Sequence, residues 1–507
     1  MFKKIISIEN LKTILKKERK KGKRVVLCHG VFDLLHVGHI KHFKEAKTRG
    51  DILVVTITPD IYVNKGPGRP AFNEHLRLEA VASLDVVDYV ALNTKPSAVN
   101  LIKKIKPNIY CKGPDYKNYE KDITNQIKNE VNAIKSVGGK IVHTEGITFS
   151  SSKLINKFGN LQSADQKQLI KKIKKQYSFD QIQKLINNFK KIKVLIVGEI
   201  IIDQYNFCEA LGKSGKEPIL VFRDLKTEEY LGGSAALSRH ISPFCKNISL
   251  LSMVGEKGDY LSKIKKDLPK NIKFKYIKKR NSPTILKRRF LDNIDKKKVF
   301  GVYMINDNNL SVKQDKLFSR ILKNMLPKYD LVIVSDYGHG FISKNNANLL
   351  CKKSKYLAVN AQVNAANVGY HSMRNYKNVD CVIINNREMQ HEMRDRSNKT
   401  EFLMKKLSQQ QKINNLVVTR GAEGAALYNK KDNNFNFCGA YAGEVIDKIG
   451  AGDAMLSIVA LCLKSNLSRE LSLLLGSLAA AQSTETIGNK EAVNRNKILR
   501  VLETLFK

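Results

Sequence analysis

A chain of 507 residues is too long for one hydrophobic core and predicts two or three domains. Hydrophobic residues make up 42% of it, yet its apolar runs, such as "LSLLLGSLAAA" at 471–481, are too short to span a bilayer, so no membrane insertion is expected. The net charge of +42 raises the question of nucleic acid, but the lysines run through nearly every segment, which predicts a compositional bias and no specific nucleic-acid partner.

The start, "MFKKIISIENLKTILKK", has charges but no sustained apolar core with a small-residue cleavage site, so the protein is expected in the cytoplasm. The eight cysteines are scattered, with no CxxC pair and no histidines at metal-ligand spacing, and are expected to be reduced structural thiols.

Strand-like runs "RVVLCHG", "DILVVTIT", "VVDYVAL" and "KIVHTEG" alternate with helix-length amphipathic segments, which predicts a parallel α/β domain over residues 1–156. Residues 157–190 are polar and lysine-rich, with Ser178 placed to cap a helix carrying Ile182, Leu185 and Ile186, and are expected to form a helical linker. A second α/β series begins at "KVLIVGEIIID", continues through "DLVIVSDYGHG", "YLAVNAQ", "DCVIINNRE" and "LVVTRGAEGAALY", and closes with "DKIGAGDAMLSIVALCL", giving a second domain over 191–507.

In "VVLCHGVFDLLHVGH" a buried strand meets a turn at Gly30 and then a helix near His36, so His36 and His39 fall in that helix's first turn. Unpaired backbone N–H groups and the positive end of the helix dipole make such a place an anion site, and two imidazole donors there suit the phosphates of a nucleotide. The set Gly30, Phe32, Asp33, His36, Gly38 and His39 resembles the cytidylyltransferase-like branch of the HIGH-type nucleotidyltransferases, with a Rossmann-like fold. "NKGPGRPAFNEHLRLEA" resembles the same branch in heptose 1-phosphate adenylyltransferases, with Lys65, Arg69 and Arg77 as cations. "IKPNIYCKGPDY" adds Lys112, Gly113, Asp115 and Tyr116, and "TEGITFSSSKLI" adds Ser150, Ser151 and Ser152. The resemblance implies in-line attack of a sugar phosphate oxygen on a nucleoside triphosphate, with pyrophosphate leaving and Mg²⁺ on the phosphates. His36, His39 and Lys65 would be catalytic, and the others would bind nucleotide and phosphate.

In "DKIGAGDAM", Gly450, Ala451 and Gly452 let backbone amides approach a transferring phosphoryl group at a helix start, while Asp453 can accept a hydroxyl proton. This stretch resembles the G-A-G-D signature of the PfkB (ribokinase-like) sugar kinases, α/β/α sandwiches, and other segments agree over most of 191–505. The resemblance places Asp203, Gly232 and Gly233 on the sugar, Thr419, Gly421 and Gly424 near the adenine of ATP, and Asn385 and Glu388 on the Mg²⁺ through water. Leu237 stands where the family has asparagine, Asn360-Ala361 where it has Asp-Pro, and His339 where it often has lysine.

The pairing of the two halves resembles the bifunctional ADP-heptose synthases of lipopolysaccharide assembly, in reversed order. It implies a sugar-phosphate kinase joined to a sugar 1-phosphate nucleotidyltransferase, acting as a homodimer on small molecules, with ATP, or CTP in the transfer step. A cytidylyltransferase for a small polyol phosphate, fused to a kinase-like domain of different or lost specificity, stays open beside it.

Overall fold

The computed structural model describes residues 4–63, 65–66, 68–114, 126–145, 162–363, 367, 369–443 and 445–507. Contacts divide the chain into two units, Met1–Ser163 with Asn496–Lys507, and Ala164–Arg495. The helices at Ala164–Gln176 and Phe179–Asn188, read from sequence as a linker, group with the second unit. Residues 496–507, read as the end of the second domain, group with the first.

The first unit is built on strands β1 (Val25–Gly30), β2 (Ile52–Ile57), β3 (Tyr89–Leu92), β4 (Ile109–Lys112) and β5 (Lys140–His143). They form one parallel sheet in the order β3-β2-β1-β4-β5. Successive side chains point to opposite faces. Accordingly Val25, Leu27, Ile52 and Val54 join one core with Leu11, Leu15 and Ile102, while Val26, Cys28, Leu53 and Val55 join another with Phe43, Leu78 and Val81. Helices on both faces explain why β1 and β2 read as continuous apolar runs without alternation. The order reverses at β1, so the carboxyl ends of β1 and β4 flank the crevice where such sheets take ligands.

The second unit holds strands β6 (Lys193–Gly198), β7 (Ile200–Lys213), β8 (Leu220–Gly233), β9 (Asn247–Gly255), β10 (Ile272–Lys279), β11 (Leu286–Asp292), β12 (Lys298–Met304), β13 (Leu331–Asp336), β14 (Leu357–Ala361), β15 (Cys381–Asn385), β16 (Asn415–Thr419), β17 (Ala425–Asn429) and β18 (Asn434–Cys438). Nine of them form a sheet in the order β10-β9-β6-β13-β14-β15-β16-β17-β18, parallel from β10 to β16 and antiparallel beyond. The other four form a sheet in the order β12-β11-β7-β8. The outer halves of β7 and β8 are exposed, whereas their inner ends, Asp203 and Gly232-Gly233, are buried.

The helix Phe179–Asn188 carries the expected cap: Ser178 Oγ accepts from Gln181 N, and the Gln181 side chain accepts from Ser178 N. None of the eight cysteines forms a disulfide. Among the described residues no helix is long and apolar enough to cross a membrane.

Candidate active sites

In the first unit β1 runs into the helix Val37–Lys47, and His36 is its N-cap, with Nδ1 accepting from Gly38 N at 3.1 Å. His39, one turn in, stacks on His36 with ring centroids 3.9 Å apart. Phe32, at φ +48°, packs its ring edge-on against His39 and Phe43, and the Phe32 ring lies 3.0 Å from where a Cβ on Gly30 would stand. Gly30 is thus glycine because the ring that orients His39 occupies its side-chain space. Burial, with His36, His42 and Lys65 nearby, lowers the His39 imidazole to about 3, and burial lowers His36 too, so both are neutral donors at pH 7.

Lys65 joins this cluster on a loop. Burial, followed by Lys507, pulls its ammonium down to about 8 against Asp33, which leaves it mostly charged at neutral pH. A Cβ on Gly66 would stand 3.1 Å from Val501, so residues 496–507 pack against this loop within the same unit.

Three residues expected on phosphates are committed elsewhere. The Arg77 guanidinium is buried and donates to the carbonyls of Val31, Thr58 and Phe72 and to Asp60 Oδ1, a clamp that ties the β1 and β2 loops to its own helix. Lys112 Nζ lies 3.1 Å from Glu130 Oε2, which also accepts from Tyr110. Asp33 accepts from the backbone of Ala71 and Phe72 and faces the buried Arg69 at 3.9 Å, holding the loop that leads into the helix Glu74–Ala82. A buried charge must be paired, and Asp60, Glu130 and Arg69 supply the opposite charges for Arg77, Lys112 and Asp33. Gly113 follows β4 with open space around its Cα, and Gly38 lies in the first turn of the histidine helix. Asp115, Tyr116, Ser150, Ser151 and Ser152 lie outside the described residues.

In the second unit Gly450, at φ +89°, caps the helix Ala451–Lys464, with Ala451, Gly452 and Asp453 in its first turn. A Cβ on Gly450 would stand 2.2 Å from Asn489 Oδ1, so only glycine fits there. Both Asp453 oxygens accept from Tyr337 Oη, at 3.1 and 3.0 Å. Burial raises the Asp453 carboxyl to about 7; the Tyr337 hydrogen bond opposes that, Asp203 adds to it and Lys287 opposes it.

Asp203 is buried, pairs with Arg289 at 2.6 Å and receives Asn489 Nδ2 at 3.4 Å. A Cβ on Gly232 would stand 2.1 Å from Asp203 Oδ2, and Gly233 takes φ +59°, which explains the glycine pair. Gly232→Ala is therefore expected to displace the Asp203 carboxylate and raise the KM for sugar about tenfold or more with a smaller change in kcat, measured by steady-state kinetics.

Asn385 and Glu388 form a capping box on the helix Asn386–Met393, each side chain accepting from the other's backbone N–H. Burial raises Glu388 to about 7, with Asp453 adding to the shift. With these bonds made, the pair fits a hydrated Mg²⁺ through the remaining carboxylate lone pairs and not a bare ion, in keeping with the waters Mg²⁺ retains. Thr419, Gly421 and Gly424 lie on the β16–β17 turn, where Arg420 N donates to Gly424 O at 2.7 Å.

Several residues of this site were not legible in the sequence. Buried Glu199 accepts from Tyr337 N and His339 N, and burial beside Asp336 raises it to about 8. His339 itself pairs with Asp307 at 2.6 Å, and Lys279 Nζ donates to its carbonyl. Lys287 lies opposite Asp203 in the β11–β7 register, with Nζ 5.6 Å from the Tyr337 ring centre. A basic Lys-Arg-Arg run inside an apolar strand was the available signal for Lys287 and Arg289. Leu237 is fully buried, and Asn360 donates to Ile383 O.

The chain is a transferase, and its candidate sites are a histidine pair at one helix N-terminus and a glycine-framed aspartate at another, each on an α/β sheet. Residues 191–495 match the pfkB family of carbohydrate kinases, and the chain belongs to that family. Residues 27–157 match the cytidylyltransferase-like family. The bifunctional protein HldE of a Nitratiruptor species is 41% identical over 138 residues, 27% of this chain and 30% of that protein. HldE of Geotalea uraniireducens is 37% identical over 152 residues, 30% of this chain and 29% of that protein. The chain thus spans less than a third of the length of these relatives. Phosphofructokinase-2 from Escherichia coli shares the fold with a TM-score of 0.50 at 14% identity, over 62% of this chain and 100% of that one.

Proposed function

We propose that the chain is a bifunctional enzyme in which the Ala164–Arg495 unit phosphorylates the anomeric hydroxyl of a sugar phosphate from ATP, and the Met1–Ser163 unit couples the sugar 1-phosphate to a nucleotide. The observation that carries the kinase step is Asp453 at a helix N-terminus with its carboxyl near 7, placed beside the Asp203–Arg289 pair. Asp453 takes the hydroxyl proton, and the amides of Gly450–Gly452 receive the charge that moves onto the phosphoryl oxygens. Mg²⁺ held through water by Glu388 would neutralise the phosphates of ATP. Lys287, beside Asp203 and Tyr337, favours a substrate that itself bears phosphate.

In the transfer step His36 and His39 donate to the triphosphate as it loses pyrophosphate, with Lys65 supplying charge. The likeness of residues 27–157 to the HldE proteins favours ADP-heptose as product, with the protein acting in the cytoplasm as a homodimer on small molecules. A second reading, a kinase unit of different sugar specificity beside a cytidylyltransferase, is favoured by one feature: buried Leu237 offers a sugar no polar contact.

Incubation with heptose 7-phosphate, Mg²⁺ and ATP or CTP, followed by mass spectrometry, tests both. Heptose 1,7-bisphosphate with ATP supports the kinase assignment. Pyrophosphate release from a supplied sugar 1-phosphate, with no ATP-dependent phosphorylation of the heptose, supports the second reading and overturns the first.

A further inference from the structure

Three residues far apart in sequence meet in the first unit: Cys28 on β1, His42 on the helix Val37–Lys47 and Cys111 on β4. One ligand atom from each lies within 4.8 Å of the other two, the one group of this kind among the described residues. Cys28 and Cys111 are directly paired in the β1–β4 register and buried, while His42 is half-buried and approaches from the helix above. None of the three is used by the transfer chemistry proposed above.

We propose that Cys28, His42 and Cys111 form a binding site for a thiophilic metal ion, of the Zn²⁺ class. Two thiolates and an imidazole are the donor set that selects Zn²⁺ over Mg²⁺ or Ca²⁺, which require oxygen. Size agrees with this choice. Zn–S bonds of about 2.3 Å in tetrahedral geometry put two sulfurs about 3.8 Å apart, so a set already inside 4.8 Å closes on the ion with small side-chain rotations.

The imidazole is oriented as well. His42 Nδ1 lies 3.0 Å from Thr144 Oγ1, and Lys112 O lies 3.5 Å from that same hydroxyl. The hydroxyl proton turned toward the carbonyl lets the Thr144 oxygen accept from Nδ1–H, which leaves the Nε2 lone pair for the metal. Hydrogen-bonded support of this kind accompanies metal-ligating histidines. Three protein ligands leave the fourth position to a water on the half-exposed histidine side.

The ion would tie β1, β4 and the helix that carries His39 at one point, behind the nucleotide crevice. Its role is to hold the two sides of the strand-order reversal at fixed spacing. Thr144 is then a positioning residue.

The test uses the full chain, reduced and stripped of metal under anaerobic conditions, titrated with Co²⁺ as a spectroscopic stand-in. One equivalent per chain is expected to give the thiolate-to-cobalt charge-transfer band with the visible bands of tetrahedral Co²⁺, both removed by Zn²⁺. Cys28→Ser and Cys111→Ser should each abolish the charge-transfer intensity of a two-thiolate site, while Cys245→Ser and Cys381→Ser, buried thiols outside the cluster, should leave it intact. Thr144→Val should weaken Zn²⁺ binding about ten- to a hundredfold, read by competition with a chromophoric chelator. If the serine variants do not fold, as judged by circular dichroism, the half-buried His42→Gln serves, with an expected loss of affinity greater than tenfold. The absence of a thiolate band in the wild-type protein at one equivalent of Co²⁺ would overturn the proposal. So would a band unchanged in folded Cys28→Ser and Cys111→Ser proteins.

Discussion

Replacing Asp453 by asparagine is expected to lower ATP-dependent sugar phosphorylation by about a hundredfold or more in kcat, with little change in KM. The isosteric amide keeps an oxygen to accept from Tyr337 Oη and keeps the volume at the start of the helix Ala451–Lys464, so the sugar and ATP contacts persist. What is lost is the carboxylate that takes the proton. The pH dependence follows with a definite sign. The Asp453 carboxyl is raised to about 7 and must be ionised to act, so the wild-type rate rises with pH through about 7 and levels off above it.

Stability runs the other way. A raised carboxyl binds its proton more tightly in the folded chain than in the unfolded one, so the contribution of Asp453 is fully present below the ordinary carboxylate range and is lost as pH rises through about 7. Asp453→Asn should therefore be at least as stable as wild type at pH 8 while nearly inactive, and thermal melting beside the kinetic assay separates lost chemistry from lost fold. An asparagine variant that phosphorylates sugar at the wild-type rate would remove Asp453 from the role of base.

Replacing His39 by alanine is expected to slow pyrophosphate release about a hundred- to a thousandfold, the scale of losing a donor aimed at developing charge. His39 is stacked on His36 and held edge-on by Phe32, so its donor is placed before the nucleotide arrives. Because burial takes the His39 imidazole down to about 3, kcat/KM for the triphosphate should show no inflection from His39 between pH 5 and 7.5, and burial lowers His36 from its ordinary value as well. A clear inflection near the ordinary histidine value would mean that the free enzyme uses a charged imidazole, and a His39→Ala rate equal to wild type would remove His39 from the site. Circular dichroism of the His39→Ala protein beside wild type checks that the first unit keeps its fold.

The local features were legible from the sequence because they depend on neighbours within a turn or a strand. The apolar runs announced the five-stranded and nine-stranded sheets but not the partly exposed four-stranded one, since a strand buried on two faces has no polar alternation to hide it. The histidines fell at a helix start because the strand β1 and the turn at Gly30 lead directly into that helix, and Gly450 before Asp453 marks a backbone position with no room for a side chain beside Asn489. Ser178 and Gln181 specified their own cap across three residues.

What the sequence did not determine is where long side chains end, because that depends on which distant groups share their pocket. Arg77 and Lys112 carry the charge expected of phosphate ligands, yet folding brings Asp60 and three carbonyls to the one and Glu130 to the other. A buried cation takes whatever partner desolvation leaves it. Asn385 and Glu388, which their motif assigns toward Mg²⁺ through water, also cap a helix with their side chains. Tyr337 reaches Asp453 from the end of β13, Arg289 reaches Asp203 from β11, and Glu199, between β6 and β7, holds the Tyr337 backbone; no linear spacing announces that meeting. The last residues of the chain read as part of the kinase domain but pack beside Lys65, since a helix goes where its apolar face is covered. Eight scattered cysteines suggested no metal. The parallel register of β1 with β4 set two of them side by side under His42, and register is a property of the folded sheet, which sequence spacing alone does not supply.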